Sequence, residues 1–318
     1  MRIGYFCLFV PIELLKALGL KPIRLLPEKK CDWESKYFRY DACPFLKNLV
    51  SNLLIKNWSL DALFLLSLCD GQRRLFEIIK KEIPNLKIYQ IYFPRTYNLS
   101  AFKLYYQEIL DFIKKFEKNL KLVNENLKRE VRDLNQKKRK LVKLIRPLNF
   151  IQKAEIIKNF WENQTLSPIP FLFKEDENLK KERILLLGSY FTPLDWSIAK
   201  TIEKYFTIAA DAFCTVSRGI DFYPPANNLK DYLFFYFFKI PCILRRPNKI
   251  FYDYLKKKIR KEKIKKIILY SLKFCDSFSF EKESLKNYLK LPVLAIEGDY
   301  SKEITLQTET RINAFYES

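Results

Sequence analysis

The residues in this chain best equipped for chemistry are its seven cysteines, at positions 7, 31, 43, 69, 214, 242 and 275. There is no histidine. That removes the commonest general base, every Ser–His or Cys–His nucleophile pair and the usual nitrogen ligand for zinc. Any metal must be held by thiolates, carboxylates or hydroxyls. No CxxC pair occurs, which excludes a zinc ribbon and a ferredoxin-type spacing. Each cysteine is also a small apolar residue that a core accepts readily. Cys31, in a polar loop, reads that way. Cys43, Cys69 and Cys275 stand in polar or turn contexts (CPF, CDG, FCD), which favours function. For Cys7, Cys214 and Cys242 the pattern leaves core thiol and ligand both open.

The elements that must position these thiols alternate between strand and helix. RIGYF reads as a strand and PIELLKALG as a helix with Pro at its start and Gly at its stop. DACPFLKNLVSNLLIKN reads as a second helix. DALFLLSL is a continuous apolar strand of the kind a parallel sheet buries on both faces. GQRRLFEIIKKEI is its crossover helix, and LKIYQIYF is the next strand. From ERILLLG the alternation resumes. A helix runs through DWSIAKTIEKYF, and the strands TIAADAF (ending at Cys214), KKIILYSLKF and PVLAIEG follow. A last helix starts from about Lys302. Between the two α/β parts, Ile113, Phe116, Leu120, Val123, Leu127, Val131 and Leu134 form an amphipathic helical stripe. A cap-like Asn124 and then Pro147 divide it, and a polar linker covers 162–182. The expected organisation is an α/β lobe over 1–98, a helical segment and linker over 99–180, and a second α/β lobe over 181–318.

This layout puts Cys7, Cys69 and Cys275 after strands and before helices, Cys214 at a strand end, and Cys43 at a helix start. Ligands of open parallel sheets bind outside the carboxyl ends of the strands. Helix N-termini there favour thiolate. Well-separated thiols with no histidine fit an iron–sulfur cluster assembled by tertiary structure.

The 318 residues carry 58 Lys and Arg against 36 Asp and Glu, a formal net charge of +22. The basic residues lie along the whole chain, mostly on helix faces, and Lys, Ile, Asn, Phe and Tyr dominate together. A solvated basic surface is the expected reading, with no nucleic-acid partner. The opening MRIGYFCLFVPIELLKALGL reads as strand, turn and helix rather than a signal peptide. YLFFYFFKIPCIL is too short to span a bilayer and contains Lys239 and Pro241. The expectation is a cytoplasmic protein with reduced thiols and no membrane partner.

Motifs along nearly the whole chain are similar to those of the ATP-activated 2-hydroxyacyl-CoA dehydratases and their benzoyl-CoA reductase relatives. GYFCLFVPIELLKALGLKPIRLL resembles the opening of that family. DACPFLKN and CDGQRRLFE resemble its first two cluster-cysteine motifs, and LKFCD resembles the third. ADAFCTVSRG and IPCILRRPN resemble its middle segments. EGDYS with LQTETRINAFYE resembles its C-terminal signature. The chain departs from the pattern at Asn313, where the family has Glu, and in the order of CTVSRG.

The resemblance implies two Rossmann-like (flavodoxin-like) parallel-sheet lobes joined by a helical segment. It implies a [4Fe–4S] cluster on Cys43, Cys69 and Cys275, with one iron left open. It also implies an oxygen-sensitive, anaerobic lyase in which one electron makes a ketyl radical of a 2-hydroxyacyl-CoA, which loses its hydroxyl on the way to an enoyl-CoA. The implied partners are the acyl-CoA, a related subunit in a homo- or heterodimer, and an ATP-hydrolysing iron–sulfur activator. Two alternatives stand beside it. One is a reductase of small molecules with a double-cubane cluster, for which Cys7, Cys214 and Cys242 are additional ligand candidates. The other is a non-catalytic, cluster-bearing partner subunit. The absence of histidine, and CD rather than CH in the last motif, favour the single cluster.

Overall fold

The computed structural model describes residues 1–30, 38, 41–55, 58–166, 181–301 and 304–318. Cys31, most of the 162–182 linker and Lys302 lie outside the described residues. The chain begins with β1 (Arg2–Tyr5), α1 (Ile12–Ala17), β2 (Lys21–Arg24), α2 (Pro44–Leu54), β3 (Ala62–Leu66), α3 (Asp70–Glu82) and β4 (Lys87–Ile91). Three helices follow, α4 (Leu99–Lys114), α5 (Leu120–Ile145) and α6 (Phe150–Asn163). The remainder is β5 (Arg183–Gly188), α7 (Trp196–Tyr205), β6 (Thr207–Asp211), α8 (Leu229–Lys239), α9 (Lys249–Glu262), β7 (Lys266–Leu272), α10 (Asp276–Ser279), α11 (Lys282–Leu289), β8 (Val293–Gly298) and α12 (Leu306–Glu317).

Two compact units result. Unit 1 takes Met1–Leu26, Leu49–Lys140 and Phe222–Asn248; unit 2 takes Pro27–Asn48, Leu141–Asp221 and Lys249–Ser318. The divisions fall inside α2 and α5.

Unit 1 is built on a parallel sheet of order β2-β1-β3-β4. All five residues of β3 are buried, as its unbroken apolar run requires of a strand covered on both faces. The chain moves from β1 to β2 on one side and crosses back to β3 on the other. Gly19 takes φ +80 past the end of α1, where the backbone reverses into β2. β2 was not legible as a strand because Pro22 stands in it, which only an edge position allows.

Unit 2 repeats the same order as β6-β5-β7-β8, again all parallel. All seven residues of β7 are buried. Each sheet therefore has its switch point between its first and third strands, the flavodoxin-like arrangement. The chain is an α/β protein with two Rossmann-like parallel sheets.

Three local expectations are corrected. Asn124 does not divide the helical run; it lies within α5. Its Nδ2 donates to the Leu120 carbonyl at 3.0 Å, and its Oδ1 accepts from the Leu229 amide at 2.8 Å, closing the first turn of α8. The break lies at Glu117, with φ 51 between α4 and α5, which leaves Leu120 of the stripe 44% exposed. The strand expected to end at Cys214 ends at Asp211. There the carboxyl turns the chain by accepting from the amides of Phe213 and Ser217, each at 3.1 Å. The last helix begins at Leu306, where Thr305 caps it by accepting from the Thr308 amide. Among the described residues no helix is long and apolar enough to cross a membrane.

Candidate functional site

Unit 2 holds two of the predicted thiols, Cys43 and Cys275, each at the start of a helix. Cys275 follows β7 and is the N-cap residue of α10. Burial pushes its thiol up from the ordinary range. Against that, the Ser189 hydroxyl and the amides of Phe278 and Ser277 act to lower it and favour thiolate. Cys43 opens α2, its carbonyl accepting from the amides of Leu46 and Lys47. Two residues on, Phe45 stacks on Tyr190 with ring centroids 3.9 Å apart. The Tyr190 carbonyl accepts a hydrogen bond from Tyr300 at 3.2 Å. Burial first, then the charges of Asp195, Tyr270 and Cys43, push the Tyr300 hydroxyl well up.

The DYS triplet of the C-terminal signature holds this arrangement. Asp299 pairs with Lys273 at 2.9 Å, and the Lys273 amide bonds the Gly298 carbonyl at 2.8 Å, tying down the turn that carries Cys275. Burial alone would raise the Asp299 carboxyl, but Lys273 and Ser301 outweigh it and hold it at about 2. Phe274 and Tyr300 both take left-handed backbone, φ 61 and 63, a strain that concentrates at functional turns.

Beneath these residues lies a carboxyl that sequence reasoning missed. Asp195 is 2% exposed and accepts hydrogen bonds from the Tyr270 hydroxyl and from the Thr192 amide and hydroxyl. Burial pushes it up to about 7 despite them. The only outward signal was the pair of glycines, Gly188 and Gly298, on strands flanking Tyr270 in a chain with only 6 Gly.

Unit 1 carries Cys7, Cys69 and Cys242. Cys69 is the N-cap of α3, in extended backbone, and its side chain makes no capping hydrogen bond. Its loop is pinned by its neighbours. The Leu68 amide donates to Gln72 Oε1 at 3.1 Å, and Arg95 Nε donates to the Leu68 carbonyl at 2.7 Å. Arg73 and Arg74 are exposed; Arg73 lies 3.8 Å from Asp70. Cys7 is buried after β1.

Arg245, three residues beyond Cys242, is fully buried. It donates to the carbonyls of Arg95, Phe237 and Thr96, and its guanidinium lies 3.9 Å from the centroid of Tyr97. Burial lowers it to about 10, with Tyr97, Cys242 and Tyr105 acting in the opposite direction. Sequence reasoning gave Arg245 no role. Cys214, in unit 2, is half-buried in the turn shaped by Asp211. Arg311 donates to the Ala295 carbonyl at 2.7 Å, while Lys204 takes Glu309 and Asn313 takes Glu317.

Cys43 and Cys275 thus both lie in unit 2, and Cys69 follows the carboxyl end of β3 in unit 1. Among the described residues, no group of three or more Cys, Asp or Glu that could hold a metal ion is gathered.

No curated protein matches the chain. Solved structures with some likeness include the SBP FpvC from Pseudomonas aeruginosa in complex with Mn2+, at 11% identity and TM-score 0.26, covering 99% of this chain and 95% of that one. Another is the Mn-bound periplasmic metal binding protein from Candidatus Liberibacter asiaticus, at 12% identity and TM-score 0.27, covering 99% and 98%. The family model for 2-hydroxyglutaryl-CoA dehydratase, D-component, matches residues 7–318. With that match running from the first cysteine through the DYS segment to the last residue, the chain belongs to the 2-hydroxyglutaryl-CoA dehydratase D-component family and is a dehydratase-type component.

Proposed function

We propose that this chain is the cluster-bearing subunit of a radical 2-hydroxyacyl-CoA dehydratase, converting the thioester to an enoyl-CoA, with Cys43, Cys69 and Cys275 as ligands of a [4Fe–4S] cluster. The observation that carries the reading is the setting of Cys275. It is half-buried at the N-cap of α10, where the Ser189 hydroxyl and the Phe278 and Ser277 amides act to lower the thiol's pKa against its burial, an environment suited to a ligating thiolate. Cys43 and Cys69 likewise open helices. The donor chemistry fits a cluster in a chain without histidine.

When bound, such a cluster supplies one-electron transfer and an open iron as Lewis acid. The chain's own residues orient the ligands. The Phe278 and Ser279 amides hold the Cys275 carbonyl, Tyr190 holds the start of α2, and Arg95 holds the loop before Cys69. The partners in this reading are the acyl-CoA, a related subunit and an ATP-hydrolysing iron–sulfur activator.

A second reading has an observation of its own. Cys7 and Cys242 lie in the electrostatic surroundings of Tyr105 and Arg245 in unit 1, which supports a reading with further ligands, a double-cubane cluster and reductase chemistry. Iron and sulfide content with EPR, on anaerobically reconstituted wild type and Cys69→Ala, tests both. Roughly four irons per chain, falling on Cys69→Ala, supports the single cluster; about eight selects the double. An iron-free wild type overturns both. An intact cluster with no binding of a CoA thioester makes this the non-catalytic partner subunit.

A further inference from the structure

The run YLFFYFF lies within α8 of unit 1 and is buried on one side only. Leu229, Tyr232, Leu233, Tyr236 and Phe237 form the inner face of the helix. Phe234, Phe235 and Phe238 stand on the other side, Phe234 37% exposed and the other two half-buried. These outward rings are joined to α4. Phe234 and Phe238, one turn apart, have centroids 4.4 Å apart, and they meet Phe102 at 5.4 and 5.9 Å. Phe102 in turn meets Tyr106 at 5.9 Å. Leu99, on the same face of α4, is 64% exposed. An apolar surface thus continues across two helices, the kind of patch that marks an interaction site.

The rim of this surface is basic. Lys230 stands one turn before Phe234, Lys239 one turn after Phe235, and Lys103 one turn after Leu99. All three are exposed, and none forms an ion pair among the described residues. Asp231 also lies on the outer side of α8, and its Oδ2 accepts from the side-chain amides of Asn227 and Asn228.

We propose that this face of unit 1 binds the surface of an anionic lipid bilayer. Phe234, Phe235 and Phe238 would enter the headgroup–acyl boundary, and Lys103, Lys230 and Lys239 would meet the lipid phosphates. The 11 residues of α8 are too few to span a bilayer. A helix lying in the plane of the interface needs no span, only an apolar face edged with lysine. Charge selects this occupant: three unpaired lysines surround the rings against one carboxylate, and the net charge of +22 draws the chain the same way.

The test is flotation of the purified full chain with vesicles of phosphatidylcholine alone and of phosphatidylcholine mixed with phosphatidylglycerol. Wild type is expected to float with the anionic vesicles and to dissociate as salt is raised. Changing Lys103, Lys230 and Lys239 together to Gln should weaken binding roughly a hundredfold. Changing Lys257, Lys261 and Lys265, three exposed lysines of unit 2, together to Gln should leave it near wild type. Phe234→Ser should also weaken it, with the lysines intact. A wild type that does not float with anionic vesicles overturns the proposal. So does an equal loss in the two lysine variants, which would mean adsorption by overall charge. A wild type that ignores vesicles and instead dimerises with concentration, in a manner Phe234→Ser abolishes, overturns it and gives the face to a second copy.

Discussion

Gly298 leaves the space that the Tyr270 phenol fills. A Cβ at Gly298 would lie 2.0 Å from Tyr270 Oη, and that hydroxyl is committed to Asp195. A buried ring with its tip hydrogen-bonded has little room to move. Gly298→Ala is therefore expected to cost about 1–3 kcal/mol, the range for an overpacked core, measured by denaturant unfolding. On the other side of the same residue, a Cβ at Gly188 would lie 1.6 Å from the Tyr270 carbonyl oxygen, on a backbone with φ +156. Backbone cannot swing aside as a side chain can. Gly188→Ala should be the worse of the two, and equal unfolding curves for the pair would contradict this account.

The Asp195 carboxyl links this packing to pH. Burial raises it to about 7 in the folded protein, while an unfolded aspartate titrates near 3.9. Between those values the native state binds the proton more tightly. The stability Asp195 contributes is thus complete below about pH 4 and is lost as pH rises through about 7. Tyr270→Phe removes a hydrogen bond that favours the charged form, so the native carboxyl titrates higher still. The variant should lose more stability relative to wild type at about pH 8 than at about pH 5. A pH-independent difference in unfolding free energy would refute the assignment.

Much of the frame was legible because it is local. β3 and β7 are unbroken apolar runs, and Cys69 and Cys275 were placed by the change from apolar strand to C-D and helix. What escaped is set by distant partners. Asn124 serves Leu229, 105 residues away. Ser189 takes its meaning from the Leu272 amide, 83 residues on, and Asp195 from Tyr270, 75 residues on. A single serine or aspartate in sequence carries no trace of such a partner. Arg245 and Pro22 escaped for another reason, since an arginine ordinarily stands at the surface and a proline outside strands.

Unit 1 has a buried carboxyl of its own. Glu13 is fully buried, and its Oε2 accepts from Tyr232 and Tyr236, each at 2.7 Å. Either tyrosine alone still supplies a donor. Tyr232→Phe and Tyr236→Phe are each expected to cost about 1–3 kcal/mol, and the double variant more than the sum, because the second change strips the last of the two donors. A double-mutant cycle on unfolding free energy reads the excess. Strict additivity would show that the two hydroxyls are not a shared support for Glu13.

Arg245 gives the sharpest test of unit 1. It is fully buried, no carboxylate pairs with it among the described residues, and its charge is spread over three main-chain carbonyls and the faces of Tyr97 and Phe237. Those carbonyls come from the segments before α4 and at the end of α8, so the side chain ties the two together. Arg245→Met keeps the bulk, removes the charge and takes the side-chain donor from the carbonyls of Thr96 and Phe237, at about 1–3 kcal/mol for each one left unsatisfied, while the Arg95 carbonyl keeps the Arg246 amide. Arg245→Lys keeps the charge but has no planar fork to reach three acceptors at once, and it loses the stack on Tyr97. Both variants should unfold at clearly lower denaturant than wild type, with lysine failing to rescue. Full rescue by lysine would mean that the charge alone matters and that the guanidinium geometry does not.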